Sequence, residues 1–419
     1  MAILRLAFRS LLNRRYTALL TLVSIALSVT LLLGVERLRH EARASFANTV
    51  SGTDLIVGAR TGSVQLLLYT VFRIGNATNN ITWKSYQDLA ANPAVAWTVP
   101  LSLGDSHAGF RVLGTTPGYF EHYKVGNKRP LRFAAGGPFS DVFDAVIGAE
   151  VADTLGYRVG QQIVVAHGAG NVSFALHDDK PFRVVGILER TGTPVDRTVH
   201  VSLDGIEAIH VDWQSGARVR GKGVSAEHVR HMDLTPKAIT GFLVGLKSKI
   251  HTFQFQRLVN EYPEEPLLAV LPGVALQELW QVIGVAENAL LVVSGFVVAV
   301  GLFGMLTALL TSLQERRREM AILRSVGARP AQVFALIIGE AGFLTLLGTA
   351  LGLALLYGGL ALAQPVIESR LGLYVAIGGL SPTELTMLGV VLLAGVLIGA
   401  IPSYRAYRYS LVDGLTIRV

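Results

Sequence analysis

Four apolar runs constrain what this chain can fold into more than any other feature. They lie at residues 16–35, 289–313, 334–360 and 385–404. Each is long enough to cross about 30 Å of hydrocarbon as a helix, which takes roughly 20 residues. The first run is longer than the apolar part of a typical signal peptide and no clear cleavage site follows it, so we interpret it as a retained span. The sequence therefore predicts an α-helical membrane protein with four transmembrane helices.

The segment between the first and second spans, residues 36–288, is large enough to form a core of its own. Strand-like stretches alternate with helix-like ones, which predicts an α+β domain. We expect an α+β subdomain at about 48–140 plus 237–270 and a β-rich subdomain at about 141–236. Within the latter, the polar and glycine-rich residues 214–236 indicate a loop. Stalk helices at both ends are expected to continue the neighbouring spans without a break.

The distribution of charge predicts the orientation in the membrane. Residues 1–15, 314–332 and 405–419 together hold twelve arginines and three acidic residues, whereas 36–288 holds 24 basic and 24 acidic residues. Lys and Arg near the ends of spans resist translocation. Both termini are therefore predicted on the cytoplasmic side, with 36–288 and a short loop at 361–384 outside. Because the net charge of +7 follows from this asymmetry, membrane lipids are the expected partners of the arginines and nucleic acid is not.

A charged connection, residues 314–333, joins the second and third spans. Up to Val326 it lacks Pro and Gly, and Met320, Leu323 and Val326 form one apolar ridge beside the arginines of a predicted helix. Gly327 then offers a C-terminal stop. Two interpretations stay open: a helix that docks in a groove of another protein, or arginines that serve only the orientation in the membrane.

The stretch ERRREMAILRSVGARPAQVF, followed by an apolar span with an early glutamate, resembles the signature of the FtsX-like permeases, the MacB-type or mechanotransmission class of ABC transporters. The order of one span, a large domain and three spans is also similar. So are VIGAEVADTLGYRVGQQIVV and FRVVGILERTGTPVDRTVHVSL, which resemble stretches of the MacB-like periplasmic core. The resemblance implies a coupling helix seated in a separate ATPase. Its residues would be Glu315, Arg316, Arg317, Arg318, Glu319, Met320, Leu323, Arg324, Val326, Gly327 and Ala328.

No phosphate-binding loop of the form G-x-x-x-x-G-K-[ST] occurs in the sequence, and the Gly221-Lys222 pair lacks the surrounding residues of one. The chain is therefore expected to be no enzyme and to bind no cofactor itself, with ATP and Mg held by a cytoplasmic ABC ATPase on another chain. The resemblance implies the bacterial inner membrane, a homodimer or heterodimer of permeases, and a periplasmic adaptor or lipoprotein as a further candidate partner. The expected function is to couple ATP hydrolysis to movements of the periplasmic domain, driving export or extraction of a substrate from the periplasm or outer leaflet.

Two other functions stay open. The first is a transmembrane signalling or scaffold protein that activates a periplasmic partner such as a cell-wall hydrolase. The second, a metal-linked exporter, rests on the ten histidines, all of which lie between His40 and His251. His228, His231 and Asp233 are the candidate metal ligands, because H-x-x-H places two imidazoles one helical turn apart. A solvated surface is the simpler interpretation, so no metal site is assigned.

Other features of the spans and their flanks carry packing or anchoring roles. Residues 1–15 predict an interfacial elbow helix with one apolar face, and 405–419 form a cytoplasmic tail. Glu340 lies close to the inner face, where a structural bond is the simpler interpretation and a relay or gating role the alternative. G-x-x-x-G spacing predicts close helix packing at Gly348, Gly352, Gly395 and Gly399.

Overall fold

The structure is a computed structural model of the chain. It describes residues 15–49, 52–126, 128–168, 176–214, 217–218, 224–315, 320, 322, 325, 327–371 and 377–408. The predicted elbow lies outside the described residues except for Arg15, and so does the predicted tail beyond Arg408.

The chain divides into two compact units. The helical unit contains Met1–Glu41, Gly284–Pro365 and Val375–Val419. The sheet unit contains Ala42–Ile283 and Val366–Tyr374. The large insertion between the first and second apolar runs thus forms a unit of its own, as its length predicts.

The helices are α1 (Arg15–Thr49), α2 (Ser63–Thr70), α3 (Trp83–Ala90), α4 (Gly118–His122), α5 (Ala149–Leu155), α6 (Leu203–His210), α7 (Ala226–Val229), α8 (Thr252–Asn260), α9 (Pro272–Glu315), α10 (Pro330–Leu371) and α11 (Pro382–Arg408). Two short 3₁₀ segments lie at Pro194–Arg197 and Lys249–His251. The strands are β1 (Leu55–Ala59), β2 (Ile81–Thr82), β3 (Val95–His107), β4 (Phe110–Thr115), β5 (Lys124–Val125), β6 (Arg129–Pro130), β7 (Phe133–Gly136), β8 (Asp144–Ile147), β9 (Gln162–Ile163), β10 (Ala166–His167), β11 (Phe182–Leu188), β12 (Thr198–Ser202), β13 (Trp213–Gln214), β14 (Ala217–Arg218), β15 (Ala238–Ile239), β16 (Gly241–Leu246) and β17 (Leu267–Val270).

Four of these helices, α1, α9, α10 and α11, are long and apolar enough to cross a membrane. The qualifying stretches are Arg15–Ala44, Pro272–Gln314, Pro330–Ile367 and Pro382–Arg408. Helix α9 runs from Pro272 through the second apolar run, so the predicted stalk and span form one helix. Helix α10 continues to Leu371, and the first part of the predicted loop at 361–384 is therefore helical. The extension includes Pro365, which removes one helical hydrogen bond, so the helix continues there despite an unfavourable residue.

The sheet unit is built on one large sheet of eleven described strands. Its order is β17-β1-β16-β3-β4-β12-β8-β11-β7, with β10 on β3 and β9 on β11. The pairs β4–β12 and β8–β11 are parallel. Strand β1, with the sequence LIVGA, is buried along its whole length, as a continuous apolar run predicts.

The predicted division of the external segment into two subdomains differs from this arrangement. Strand β3 is thirteen residues long, and its first half pairs with β16 while its second half pairs with β4 and β10. Strand β4 in turn pairs with β12, so the segments 48–140 and 141–236 share one sheet. The segment 141–236 also contains α5, α6 and α7, the last of them inside the predicted loop at 214–236.

Candidate functional site

The connection between α9 and α10 is the segment that, by its resemblance to the FtsX-like permeases, is expected to bind a separate ATPase. Met320, Ile322 and Ser325 are helical, as the sequence predicts for this segment. The remaining predicted members up to Val326, apart from Glu315 at the end of α9, lie outside the described residues: Arg316, Arg317, Arg318, Glu319, Leu323, Arg324 and Val326. The structure therefore shows this segment only at Glu315, Met320, Ile322, Ser325 and from Gly327 onward.

Met320 faces the helical unit and not the surface. Met320 is 5% exposed and belongs to a buried cluster formed by Leu313, Met320, Val333, Leu336, Ile337 and Ala406. Ile322, by contrast, is 50% exposed. Two residues along a helix correspond to a rotation of about 200°, so Ile322 points away from Met320. Met320, which the sequence predicts to lie on an exposed docking ridge, is therefore buried against the helical unit. The exposed apolar residue is Ile322, which the ridge pattern did not include.

The turn after this segment contains the predicted stop at Gly327. Gly327 has φ +98°, a left-handed conformation that side chains other than glycine rarely adopt. Pro330 is the first residue of α10, where the missing N–H has no helical partner to lose. The Arg329 backbone N–H donates to Oε1 of Gln332 at 2.9 Å, which caps the start of α10. Ala328 lies between the glycine and this cap and is partly buried.

A buried ion pair joins α1 to the start of α11 within the helical unit. Arg37 Nε donates to Glu384 Oε1 at 2.9 Å, and the two residues are 5% and 2% exposed. Arg37 Nη2 also donates to the Gly379 carbonyl at 2.7 Å. Ser381 and Glu384 form a reciprocal capping box at the N-terminus of α11, with Pro382 as its first residue. The motif SPTE thus holds the carboxylate that receives the arginine.

The four predicted glycines lie where helices of the helical unit approach one another. A Cβ on Gly348 would lie 2.7 Å from Ile25 Cγ2, and one on Gly352 would lie 2.8 Å from the Ala26 carbonyl of α1. On α11, a Cβ on Gly395 would collide with Thr345 and one on Gly399 with Ala341. Thr30 Oγ1 of α1 donates to the Gly352 carbonyl at 2.9 Å. These positions pack helix against helix within one chain.

Glu340 lies in α10 and is 5% exposed, so its carboxylate faces the interior of the helical unit. This burial favours a structural bond over a relay or gating role for Glu340, because a buried carboxylate needs partners inside the protein.

The candidate metal ligands from the sequence do not come together. His228, in α7, and His231 and Asp233, which follow it, are all exposed. Asp233 Oδ1 accepts from both the backbone N–H and the hydroxyl of Thr235, and these hydrogen bonds lower the pKa of Asp233. Among the described residues, the side chains that could jointly hold a metal are instead Asp105, His167, His177 and His210. Histidine content alone could not identify this group, because its members come from distant parts of the chain.

Comparison with known protein families matches both halves of this architecture. Residues 18–260 match the MacB-like periplasmic core domain, and residues 291–411 match the FtsX-like permease C-terminal domain. This chain belongs to the FtsX-like, MacB-type permeases. It is an ABC transporter permease whose four apolar helices are candidate membrane spans, and whose α+β domain lies between the first helix and the later three.

Individual relatives of this permease share modest identity with it. The Uncharacterized ABC transporter permease MJ1507 of Methanocaldococcus jannaschii is 28% identical over 57% of this chain and 55% of its own length. The Lipoprotein-releasing system transmembrane protein LolC of Neisseria meningitidis serogroup B is 23% identical over 80% of this chain and 75% of its own length. The Pyoverdine export ATP-binding/permease protein PvdT of Pseudomonas savastanoi pv. phaseolicola is 25% identical over 64% of this chain and 38% of its own length. The permease thus spans just over half of the first relative and well under half of the third.

Among solved structures, the permease is similar to the periplasmic region of MacB from Actinobacillus actinomycetemcomitans. The likeness covers 56% of this chain and 94% of the other, with 12% identity and a TM-score of 0.34. The extracellular domain of the noncanonic ABC-type transporter YknZ from Gram-positive bacteria is similar over 52% of this chain and 98% of the other, with 12% identity and a TM-score of 0.30.

Proposed function

We propose that this permease couples ATP hydrolysis by a separate cytoplasmic ABC ATPase to movement of its periplasmic domain. The movement would drive export or extraction of a substrate from the periplasm or the outer leaflet. The observation that carries this proposal is the exposure of Ile322 on a short helical segment between two long apolar helices, in a stretch rich in arginine. Amphipathic helices dock in grooves of other proteins through exposed apolar side chains of this kind.

Two continuous helices support the transmission of movement. Within the sheet unit, Phe46 near the end of α1 contacts Phe72 and Trp280, with ring centroids 4.3 Å and 5.4 Å apart. Within the helical unit, Ser28 of α1 donates to the Val297 carbonyl of α9 at 3.1 Å. Because each helix is packed in both units, a displacement at one end has a covalent and hydrogen-bonded route to the other. Rigid elements of this kind are a known means of coupling distant sites.

In this proposal the periplasmic domain acts on its substrate outside, and no substrate passes through the bilayer. The chemistry of the spans supports this part of the proposal. Hydroxyl groups along the helices bond to backbone carbonyls one turn earlier, as Thr21 does to Thr17 and Ser294 to Leu290. Such bonds satisfy the hydroxyl donors within their own helices. The names of two relatives, the lipoprotein-releasing system protein LolC and the pyoverdine export protein PvdT, agree with this class of function.

The remaining parts of the proposal concern assembly. Both termini and the α9–α10 connection would be cytoplasmic in a bacterial inner membrane, since arginines cluster in these segments. Two permeases, identical or related, would bind two ATPase copies that hold ATP and Mg. A periplasmic adaptor or a lipoprotein would be a further partner of the sheet unit.

Co-purification of the ATPase tests the docking surface. The tagged full-length permease is purified from its own cells, and any bound ABC ATPase is identified by mass spectrometry. Ile322→Glu places a charge at the exposed apolar position, so we expect at least about a tenfold loss of bound ATPase, the equivalent of 1.4 kcal/mol. Deletion of residues 315–326 should abolish binding.

Ile250→Glu is the matched control, because Ile250 is 86% exposed and belongs to the sheet unit. Ile250→Glu should retain the wild-type amount of ATPase. Ile322→Glu and Ile250→Glu should both reach the membrane at wild-type levels. If Ile322→Glu and the deletion both retain the ATPase, the segment is not the docking site. If the wild-type permease carries no ABC ATPase, the coupling itself is contradicted.

A further inference from the structure

The sheet unit contains a group of four side chains of the types that ligate metals. Asp105, His167, His177 and His210 each offer one ligand atom, and these atoms lie within 4.8 Å of one another. Three imidazole nitrogens and one carboxylate oxygen form the donor set of many tetrahedral sites for zinc and related ions.

The fold brings these residues together from four separate segments. Asp105 of β3 and His167 of β10 are directly opposite each other in an antiparallel pair. The His177 backbone N–H donates to the Val165 carbonyl at 3.0 Å, which holds this residue beside β10. His210 is the last residue of α6, a helix whose start is capped by the side chain of Ser202. Strand pairing positions Asp105 and His167, a backbone hydrogen bond positions His177, and the end of α6 positions His210.

The distances between ligand atoms fit a small ion. His167 Nδ1 is 2.7 Å from Asp105 Oδ1, and His210 Nε2 is 3.3 Å from His167 Nδ1 and 3.9 Å from Asp105 Oδ1. In a tetrahedral zinc site with bonds of about 2.0 to 2.2 Å, neighbouring ligand atoms are separated by about 3.3 Å. The observed separations lie on both sides of this value, so small side-chain rotations would be enough to seat an ion.

His177 gives the strongest independent sign of a ligand. The residue is 0% exposed, and neither of its ring nitrogens has a hydrogen-bond partner among the described residues. Its ring lies 5.1 Å from that of His210 and 5.5 Å from that of His167, centroid to centroid. Buried polar groups in folded proteins nearly always have a partner. A metal ion at the centre of the group would supply one.

Neighbouring contacts prepare the other ligands. His210 Nδ1 donates to the Ile206 carbonyl at 2.7 Å, so Nε2, which lies 3.3 Å from His167 Nδ1, is the unprotonated nitrogen that could ligate a metal. The fully buried Lys180 donates to Asp179 at 3.1 Å and to Asp212 at 2.8 Å. This bridge ties the segment after His177 to the segment after His210. The Lys180 ammonium is held by these two carboxylates, which lie two residues after His177 and two residues after His210.

We propose that Asp105, His167, His177 and His210 bind one divalent first-row transition-metal ion, with Zn²⁺ as the best match. Three imidazoles and one carboxylate favour Zn²⁺ over Ca²⁺ or Mg²⁺, which prefer sets of oxygen ligands. The side chains of His167 and His210 are 32% and 25% exposed, so the ion can reach the site from solvent. The bound ion would join β3, β10, the segment after Leu176 and the end of α6. This site is independent of the proposed coupling to an ATPase.

Zinc titration of the full-length permease tests the site. The protein is purified in detergent, stripped with EDTA, and titrated with zinc chloride by calorimetry. We expect one Zn²⁺ per chain. Loss of a residue that only supports a ligand already weakens metal affinity 10- to 100-fold. The ligand variants Asp105→Asn, His167→Gln and His210→Gln should each therefore weaken it by more than about 100-fold.

The double variant His228→Gln/His231→Gln is the control, because it removes two exposed histidines outside the group. It should bind zinc as the wild type does. His167 and His210 are partly exposed, so their variants should fold, and thermal unfolding of the metal-free proteins checks this. Substitution with Co²⁺ gives a second readout, since tetrahedral coordination produces intense visible absorption. Absence of zinc binding, equal affinity in the ligand variants, or the weak spectrum of octahedral Co²⁺ would each overturn the proposal.

Discussion

Arg37 of the helical unit and His177 of the sheet unit are both buried polar side chains, but they differ in the hydrogen-bond partners that surround them. In the helical unit, Arg37 is bonded to Glu384 and to backbone carbonyls, and the carboxylate is also held by the cap of α11. In the sheet unit, His177 is fully buried with neither ring nitrogen bonded to a described group. A buried polar group that makes its hydrogen bonds within its own chain needs no further partner. A buried imidazole that lies beside three other possible metal ligands and makes no hydrogen bond indicates a missing partner.

The largest expected effect comes from breaking the ion pair of the helical unit. Arg37→Ala leaves the Glu384 carboxylate buried without its cation, and removal of one partner of a buried pair typically costs about 3 to 5 kcal/mol. We expect a large fall in the thermal unfolding midpoint of the purified protein and in its yield.

Two further variants sharpen this result. The double variant Arg37→Met/Glu384→Met removes both charges and should be far milder, because apolar replacements of a buried pair are often neutral. Lys84→Ala should change stability little, since the side chains of Lys84 and Glu264 are 76% and 61% exposed and their contact is 3.9 Å long. If Arg37→Ala is no more destabilising than Lys84→Ala, the pair of Arg37 and Glu384 is not structural.

Zinc should stabilise the protein through the sheet unit. At a free concentration 100 times its Kd, a ligand that binds only the folded state contributes about 2.7 kcal/mol. The unfolding midpoint should therefore rise with added zinc and return to its starting value with EDTA. His210→Gln should remove the rise, whereas the Arg37→Met/Glu384→Met double variant should retain it. Equal rises in wild type and His210→Gln would place zinc elsewhere.

Glycine packing in the helical unit gives a smaller effect. In Gly352→Ala the new Cβ would lie 2.8 Å from the Ala26 carbonyl and 2.9 Å from Val29 Cβ. Overpacking of this kind typically costs about 1 to 3 kcal/mol. Gly358→Ala, on the same helix, meets nothing within 4 Å and should be neutral or slightly stabilising. Thermal unfolding of both variants measures the difference, and equal midpoints would contradict the close approach of α1 and α10.

Acid should destabilise the sheet unit through His200. Burial, with the nearby Arg73 cation, lowers the pKa of His200 to about 3. The folded histidine stays neutral while the unfolded one takes up a proton below about pH 6.5, so stability is lost as the pH falls from about 6.5 towards 3. The loss is about 1.4 kcal/mol per pH unit.

Thermal unfolding at pH 7, 6 and 5 compares wild type with His200→Leu. The variant should lose less stability per pH unit than the wild type, because its unfolded state has one fewer proton to bind. Parallel pH dependences in the two proteins would show that His200 does not carry this effect.

Much of the helical unit could be predicted from the sequence, because its signals are local. The apolar runs gave the four long helices, and the stalk sequence after Pro272 gave the continuity of α9. Gly327 and Pro330 mark the turn before α10 because each has a backbone requirement that its neighbours do not share. What this pattern missed is direction: it could not show that Met320 faces the protein and Ile322 faces outward.

The sheet unit was less predictable, because its important contacts are not local. The length of β3 joins the two expected subdomains, and only the pairing of β3 with β16, β4 and β10 reveals this. The group around His177 depends on the same pairing, since Asp105 and His210 are far apart in sequence. The ion pair of Arg37 with Glu384 joins residues separated by 347 positions, beyond the reach of any periodic pattern.

The most direct test of the central claim is to determine on which side of the membrane Ile322 and Ile250 lie. The chain has no cysteine, so Ile322→Cys and Ile250→Cys each introduce a single labelling site. Sealed spheroplasts are treated with a membrane-impermeant maleimide before and after permeabilisation. Our account predicts that Ile250→Cys is labelled at once and that Ile322→Cys is labelled only after permeabilisation. Labelling of both sites in sealed spheroplasts would contradict it, because the coupling segment could then not reach a cytoplasmic ATPase.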